Sequence, residues 1–298
     1  MARRSRPTDL AGAVAYLAGF GLVNVKLSTL ARSDLGAIHL RRLRLPLPRP
    51  SRIALPLIVP ALVLVAWQIT AQRGLLPPQI LPPPALVAST FADLIRGGDI
   101  ASALQISLWR VGMGFLIGSA AGLALGAAMG MSRVIEDYCG PLFRAFAQVP
   151  SLGWVPILIL IFGLDEIVKY LIIAKACFVP AAVATAQGIR NIPRQYLEVA
   201  SVLRLSRRSV LIKILLPGAL PTIFGGLRLA LSHAWIALIV VEMLAATEGV
   251  GYMMVWGRTL FQIDIVIVGM VLIGVIGLLM DLGLTRLESR LRQWAPGP

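Results

Sequence analysis

The chain has 298 residues, of which 57% are hydrophobic and 14% charged, and its formal net charge is +14 at pH 7. Because soluble domains carry about 25% charged residues, this composition excludes an ordinary soluble domain and predicts an integral membrane protein, whose length is best counted in spans of about 20 apolar residues. The basic residues form clusters between apolar runs, which favours membrane topology over nucleic-acid binding as the reason for the charge.

Residues 1–52 form a basic leader that contains one weak apolar stretch, 10–25. The opening letters MARRSR resemble the charged region of a signal peptide, but no A-x-A cleavage site follows the apolar stretch. If that stretch crossed a membrane, one of the arginine groups on its two sides would be left on the wrong side. We therefore expect a cytoplasmic tail, which can include a helix lying in the membrane interface.

Six apolar segments within 53–298 predict an all-α integral membrane protein with about six transmembrane helices. A proline-rich segment after the first span, LLPPQILPPPALV, is too stiff and helix-breaking to lie inside the membrane. With the N-terminus inside, most basic clusters fall on the cytoplasmic side, so the positive-inside bias predicts an N-in, C-in orientation. The spans are predicted near residues 53–71, 110–131, 142–162, 167–187, 223–246 and 263–284.

The second predicted span carries a glycine at every fourth position. This spacing places the glycines in one stripe along a helix face, and such faces let two helices approach closely in lipid. We expect helix packing within the chain, with a place in the substrate path as the alternative. The five residues are Gly114, Gly118, Gly122, Gly126 and Gly130.

The loop 190–221, between the fourth and fifth spans, is basic and too polar to cross a membrane. Pro193 can occupy the first turn of a helix, where its missing N–H costs nothing, and Ser206 can cap a second helix that ends before Pro217. A membrane-surface helix held by anionic lipid and a solvated linker are alternatives. The first helix is amphipathic, with a polar stripe of Arg194, Glu198, Ser201 and Arg204, in which Arg194 and Glu198 can pair, opposite Tyr196, Val199, Ala200 and Leu203.

The remaining titratable residues offer no catalytic or metal-binding set. Cys139 and Cys177 are isolated, so no disulfide framework or CxxC motif is expected. His39 and His233 lie far apart, with no HExxH or HxH spacing, so no metal site is expected. None of the four lysines follows a glycine, so the chain contains no GxxxxGK[ST] phosphate loop and is not expected to hydrolyse ATP.

The spacing within the 190–221 loop resembles the signature loop of the permease subunits of bacterial ATP-binding-cassette importers. That signature is E-A-A, three residues, Gly, nine residues and I-x-L-P, and it is matched by Glu198-Val-Ala200, Arg204 and Ile214-x-Leu216-Pro217. Valine replaces the middle alanine, and arginine replaces the glycine at which the family turns between two loop helices. Because arginine resists positive φ, we expect the turn to move to Leu205–Ser206 or the first helix to run further.

Other segments resemble the branch of this family that handles aliphatic sulfonates, taurine and nitrate. Together with the loop, the resemblance covers about residues 55–295. The segments are SLWRVGMGFLIGSAAGLALGAAMG, VPSLGWVPILILIFGLDE, FVPAAVATAQGIRNIP, LPGALPTIFGGLRLAL and VVEMLAATEGVGYMM.

The resemblance implies a type I importer permease fold in the bacterial cytoplasmic (inner) membrane, with transport by alternating access. It implies a separate ATPase subunit in two copies, which binds the ATP and Mg²⁺ that this chain does not, an extracytoplasmic solute-binding protein, and a second permease copy, either the same chain or a paralogue. The loop would be the coupling helix that docks on the ATPase. Tyr196, Ala200 and Leu203 are expected to pack against the ATPase, and Glu198 to make a polar contact with it. The other expected residues of the loop are Arg204, Leu216 and Pro217.

Charged residues at membrane depth are functional candidates by default. Lys175 lies about 12 Å inside the fourth span, where it either snorkels, pairs with a carboxylate such as Glu242, or contacts an anionic sulfonate or nitrate in transit. Glu242 can instead organise an external gate. Arg110 and Arg228, near span ends, are expected to be anchors, and His233 is expected to be a packed polar residue.

Two other classes of protein compete with the importer permease. A secondary transporter without an ATPase partner would need an inverted repeat and ionisable pairs at the midplane, and no repeat is visible. An integral-membrane enzyme would need a clustered acid, base or metal set, which the scattered carboxylates and two histidines do not provide.

Overall fold

The computed structural model describes residues 49–292 except 75, 76 and 78, and the side chains of residues 58–289 except those three and 207. The predicted tail and interfacial helix of residues 1–52 therefore lie almost entirely outside the described residues. Contacts divide the chain after Pro56, and the packing described below belongs to the unit that begins at Leu57.

The described residues are all-helical and contain no strand. A four-residue 3₁₀ turn, Ser151–Trp154, and a π-helical segment, Leu211–Leu215, separate some of the α-helices. The α-helices are α1 (Arg49–Gln72), α2 (Pro84–Arg96), α3 (Asp99–Met131), α4 (Arg133–Gln148), α5 (Val155–Phe162), α6 (Glu166–Arg190), α7 (Arg194–Val202), α8 (Arg207–Val210), α9 (Leu216–Ala245), α10 (Val250–Thr259) and α11 (Ile263–Arg292).

Four helical stretches among the described residues are long and apolar enough to cross a membrane, which confirms a multi-pass, all-α protein. A bent helix pair, Arg133–Gln148 with Ser151–Phe162, gives up to five spans if it counts as one, and Ile58–Gln72 is a shorter apolar helix. The count of six spans and the N-in, C-in orientation stay predictions. The four stretches are Asp99–Met131, Glu166–Arg190, Arg208–Ala245 and Ile263–Ser289.

The segment predicted as one span near 142–162 is bent by 85° in the structure. The break falls at Val149, which is extended (φ −76°, ψ 118°). Its cause is Pro150, because a proline disfavours the helical conformation of the preceding residue and cannot donate a backbone hydrogen bond. The second span also differs from its predicted bounds, since α3 begins at Asp99 and includes Arg110 well inside the helix.

The central helix of the bundle is α6, which makes its most extensive contacts with α3 and α9. Buried residues recur along α6 from Val168 to Gly188. Behind these three helices, α11 packs against α2, α9 and α10. One of the buried apolar clusters lies where α3, α6 and α9 meet and contains Val111, Ile173, Cys177, Ala230, Ala234, Trp235 and Leu238.

The glycine stripe of α3 lies against α6. A Cβ added to Gly122 would lie 2.5 Å from the carbonyl oxygen of Phe178, and one added to Gly118 would overlap the backbone of Ala174. Only a residue without a side chain permits backbones to approach this closely, so the four-residue spacing serves helix packing. The other three contacts are those of Gly114 with Ile173, Gly126 with Ala182 and Thr185, and Gly130 with Ala186 and Ile189.

Candidate functional site

The loop after α6 forms a short, mostly exposed helix. Pro193 directly precedes α7 as its N-cap residue, and only Ala200 within the helix is buried, with 3% of its surface exposed. Val202 is the most exposed of the apolar residues around it, at 81%. We call the outward apolar side the α7 face, and it consists of Tyr196, Val199, Val202 and Leu203.

The turn after α7 is made by Arg204 in the left-handed conformation, with φ 49°. The N–H of Leu205 donates to the carbonyl oxygen of Ala200 at 3.0 Å, and the N–H of Arg204 donates to that of Ser201 at 3.0 Å. These two bonds define a Schellman motif, in which the left-handed position usually belongs to glycine. The prediction that arginine would displace the turn is therefore wrong, because the paired carbonyls of the helix end outweigh the steric cost at Arg204.

The second half of the loop returns the chain to the bundle. As predicted, Ser206 caps the second loop helix, since its Oγ accepts a hydrogen bond from the N–H of Ser209 at 3.2 Å. The π-helical segment Leu211–Leu215 leads into α9, where Pro217 stands in the first turn after Leu216. A proline removes a backbone donor and pushes against the preceding turn, and the wider π geometry accommodates that disturbance.

Charged residues surround the α7 face without pairing along α7 itself. Glu198 is exposed and has no ion pair in the described part of the chain, so the predicted Arg194–Glu198 pair does not form. A cavity of about 940 Å³ beside the helix is lined by Arg133, Arg194 and Arg208, none of which has an acidic partner among the described residues. The same cavity also contains the ion pair of Arg190 with Glu136. The α7 face is thus bordered by Glu198, by this pair and by several arginines for which the described chain provides no acidic partner.

A buried ion cluster is centred on Arg110 of α3, which is 2% exposed. Its Nη1 donates to Glu242 Oε1 at 2.8 Å and to the carbonyl oxygen of Glu248 at 2.7 Å. Its Nη2 and Nε donate to the two carboxylate oxygens of Glu166 at 2.6 and 2.8 Å. Lys169 completes the charge balance by pairing with Glu166 at 2.7 Å, so two cations face two carboxylates.

Glu242 of α9 also holds the start of α10. Its carboxylate accepts hydrogen bonds from Ser107 Oγ at 2.8 Å and from the N–H of Gly251 at 2.9 Å, while Ser107 Oγ accepts from the N–H of Val250 at 3.1 Å. A carboxylate at a helix N-terminus is favourable because free backbone N–H groups point towards it. The ion cluster therefore joins α3, α6, α9 and α10 at the end of α6 opposite α7.

The structure separates the predicted pair Lys175 and Glu242. Lys175 Nζ instead donates to the carbonyl oxygen of Val149, at the break of the bent helix pair, and lies 5.1 Å from the centre of the Phe146 ring. Glu242 pairs with Arg110. The pairing of Lys175 with Glu242 is therefore wrong, and the path and gate roles of the two residues stay predictions.

Two other expectations about polar residues, those for Arg110 and His233, are wrong, and the anchoring role of Arg228 stays a prediction. Arg110 is a buried ion-pair partner and not an anchor at a span end, because Glu166 and Glu242 surround it. Arg228 binds both carboxylate oxygens of Asp281, at 2.6 and 2.8 Å, and so links α9 to α11. His233 is exposed, with its Nδ1 2.8 Å from the carbonyl oxygen of Leu229.

The sequence did not single out Ser107 or Glu166 as members of the ion cluster. Glu166 and Lys169 stand at i,i+3, a spacing typical of helical ion pairs, which is the one local signal available. Arg110 and Glu242 are 132 positions apart, so no spacing rule connects them.

Long apolar helices surround a buried ion cluster, which defines a multi-pass membrane protein. At one end of the bundle, the exposed α7 and its turn are suited to docking on a partner. The family described as "Binding-protein-dependent transport system inner membrane component" matches residues 114–293. The chain belongs to this family of permeases, and it is a multi-pass protein of the cytoplasmic membrane.

Named relatives belong to the same branch as the resemblance. The putative aliphatic sulfonates transport permease protein SsuC of Bacillus subtilis (strain 168) is 37% identical over 80% of this chain and 86% of its own length. The taurine transport system permease protein TauC of Escherichia coli (strain K12) is 32% identical over 86% of this chain and 95% of its own. The nitrate import permease protein NrtB of Synechocystis sp. is 31% identical over 80% of this chain and 89% of its own length.

Proposed function

We propose that this chain is the membrane-spanning subunit of an ATP-driven importer for a small anion such as an aliphatic sulfonate, taurine or nitrate. An extracytoplasmic binding protein delivers the solute, and two copies of a separate ATPase drive alternating access. The names of the relatives support this proposal, as does the lack of a phosphate loop in the sequence. ATP and Mg²⁺ belong to the ATPase, and one loop per chain calls for two permease copies, with a homodimer as the simplest pair.

The observation that carries the proposal is the α7 face. Apolar side chains this exposed on a short helix need a partner to cover them, and a helix laid in a groove uses such a face together with a few charges that set its register. The Schellman turn at Arg204 and the buried Ala200 fix this helix against the body of the permease. The helix therefore transmits force as a rigid element.

The burial of Ala200 within the chain changes the contact residues that we propose. In this proposal Ala200 holds the helix against the permease, and the exposed residues of the α7 face contact the ATPase. Tyr196, Val199, Val202 and Leu203 fill the groove instead, and Glu198 binds a basic or backbone donor at its edge. The unpaired arginines beside the helix favour acidic residues on the facing surface of the ATPase, because they would otherwise stay without counter-charges.

The test is to purify the permease with its ATPase and to measure both ATPase retention and ATP-driven solute uptake in vesicles containing the complex and its binding protein. We expect Val202→Asp and Glu198→Lys to abolish uptake and to reduce the ATPase retained by more than about tenfold, since hot-spot losses commonly exceed 2 kcal/mol. The amount of permease in the membrane should not change.

Ile95→Asp is the matched control. Ile95 is also an exposed apolar residue, but it lies on α2, which leads into the opposite end of α3, so this variant should retain the ATPase. Normal uptake with both α7 variants would refute the docking assignment. Uptake driven by an ion gradient in the absence of ATP would favour the secondary transporter.

A further inference from the structure

The cavity of about 940 Å³ beside α7 lies where three of the candidate membrane spans have an end. Met131 ends one span, Arg190 ends another and Arg208 begins a third, and all three residues line the cavity. Because a span ends where the hydrocarbon gives way to the polar layer of the membrane, the cavity lies at the depth of the lipid headgroups. We call it the arginine cavity, after Arg133, Arg190, Arg194 and Arg208 in its wall.

The arginine cavity holds more positive charge than its own residues neutralise. Arg190 is paired, since its Nη1 lies 2.5 Å from Glu136 Oε1 and its Nη2 donates to the carbonyl oxygen of Met129 at 3.0 Å. The other three arginines have no carboxylate partner among the residues that the structure describes. Glu136 is the one acidic residue among the described residues of the wall, so three positive charges there stay without a counter-charge from the chain.

The rest of the wall is largely apolar. Several of its apolar side chains are exposed in the chain by itself, and these are Met131, Leu197, Leu205 and Leu211. Guanidinium groups match the geometry of phosphate oxygens, whereas exposed apolar surface gains free energy when hydrocarbon covers it. A ligand that satisfies both parts of the wall is an amphiphile with an anionic, phosphate-bearing head.

We propose that the arginine cavity binds the headgroup of an anionic phospholipid such as phosphatidylglycerol. The phosphate accepts charge-assisted hydrogen bonds from the arginines without a carboxylate partner, and the adjoining parts of the acyl chains pack on Met131 and Leu211. Basic pockets between membrane-spanning helices are suited to such headgroups. The site needs only the helical bundle and a membrane, so it does not depend on the proposed import function.

The lipid and the ATPase use different sides of α7. Arg194 and Leu197 line the cavity, whereas Tyr196 and Val199 of the α7 face do not, because residues two positions apart on a helix do not share a side. An acidic side chain of the ATPase would bring charge to the cavity but would leave its apolar wall uncovered. Phosphatidylglycerol carries a single negative charge, so charge remains for the acidic ATPase residues proposed above.

The test measures lipid binding to the full-length, delipidated permease in detergent by native mass spectrometry. We expect phosphatidylglycerol to bind at least about tenfold more tightly than phosphatidylethanolamine, whose ammonium group cancels the charge of its phosphate. Arg133→Gln and Arg208→Gln should each weaken phosphatidylglycerol binding about fivefold, the factor that one arginine contributes near an anionic lipid. Both arginines are exposed, so neither change should alter the melting temperature.

Arg204→Gln is the matched control. Arg204 is also exposed and close to Arg208 in sequence, but it does not line the cavity, so its loss should change phosphatidylglycerol binding by less than about twofold, because solvent and salt screen an exposed charge. Met131→Gln tests the apolar wall. It removes no charge, and it should weaken binding about threefold by taking apolar surface from the acyl chains.

Equal binding of the two lipids would overturn the proposal, as would a loss in Arg204→Gln as large as that in Arg133→Gln. Displacement of the lipid by inorganic phosphate, beyond the effect of chloride at equal ionic strength, would identify a free-phosphate site and reject the lipid. Release of phosphatidylglycerol when the ATPase binds would show that acidic ATPase residues occupy the cavity, and would also reject it. Lipid binding without any ATPase binding rejects only the proposed function.

Discussion

Replacing Arg110 by methionine tests the energetic role of the buried ion cluster. The change removes the charge but keeps an unbranched apolar side chain at a site that is 2% exposed. Glu166 is 44% exposed and keeps Lys169 at 2.7 Å, so it tolerates the loss. Glu242 has a fully buried side chain and keeps only Ser107 and the N–H of Gly251 as hydrogen-bond donors.

The loss of stability therefore comes mainly from leaving the buried Glu242 carboxylate without its cation. Removing one partner of a buried ion pair costs about 3–5 kcal/mol, because the other charge stays buried without compensation. We expect Arg110→Met to lower the free energy of unfolding of the purified permease, measured by denaturant titration in mixed micelles, by this amount. Adding Glu242→Gln should recover about half of the loss, since a neutral amide needs no counter-charge.

The matched control is Arg96→Met. Arg96 pairs with Asp93 at 3.3 Å, but its side chain is 78% exposed, and exposed pairs contribute less than about 1 kcal/mol. If Arg110→Met proved no more destabilising than Arg96→Met, or if Glu242→Gln worsened the loss, the cluster would not hold the four helices together by charge pairing.

Three further changes test the packing and the turn. Gly122→Leu should destabilise the fold by about 3 kcal/mol through overpacking. Gly112→Leu on the same helix, where an added Cβ meets open space, should have little effect. Equal thermal stability of the two variants would contradict the close α3–α6 contact. Arg204→Gly should stabilise the permease by about 1 kcal/mol, because glycine adopts positive φ without steric cost, and a lower melting temperature would contradict the left-handed turn. Ser107→Ala should cost about 1–3 kcal/mol, because it leaves the N–H of Val250 unpaired, and an unchanged unfolding midpoint would show that water replaces the hydroxyl.

The two candidate sites were predictable to different degrees. The helix and turn of the 190–221 loop follow from local features, since Pro193, the amphipathic stripe and Ser206 act within a few residues of one another. The side of α7 that contacts the bundle did not follow from them, because Ala200 and Val199 are both small, apolar neighbours. The burial of Ala200 and the exposure of Val199 were decided by which side of α7 rests against the bundle.

The ion cluster, in contrast to the loop, could not be predicted from local sequence features. Arg110 and Glu242 come from helices separated by more than a hundred residues, and each was interpreted from its own span alone. Sequence reasoning paired Glu242 with Lys175 because both lie at membrane depth with opposite charge. In the structure Arg110 lies beside Glu242, and Lys175 lies at the break beside Val149.

The sequence by itself determined the membrane class, the main apolar helices, the glycine stripe and the spacing of the loop, because each depends on hydrophobic periodicity or on contacts within a few turns. The structure also revealed two local features, the bend at Val149 before Pro150 and the left-handed Arg204 held by the hydrogen bonds of the helix end. Only the tertiary structure decided the partners of the buried charges and the cavity beside α7, because these depend on how helices distant in sequence pack and on hydrogen bonds and ion pairs formed across the bundle.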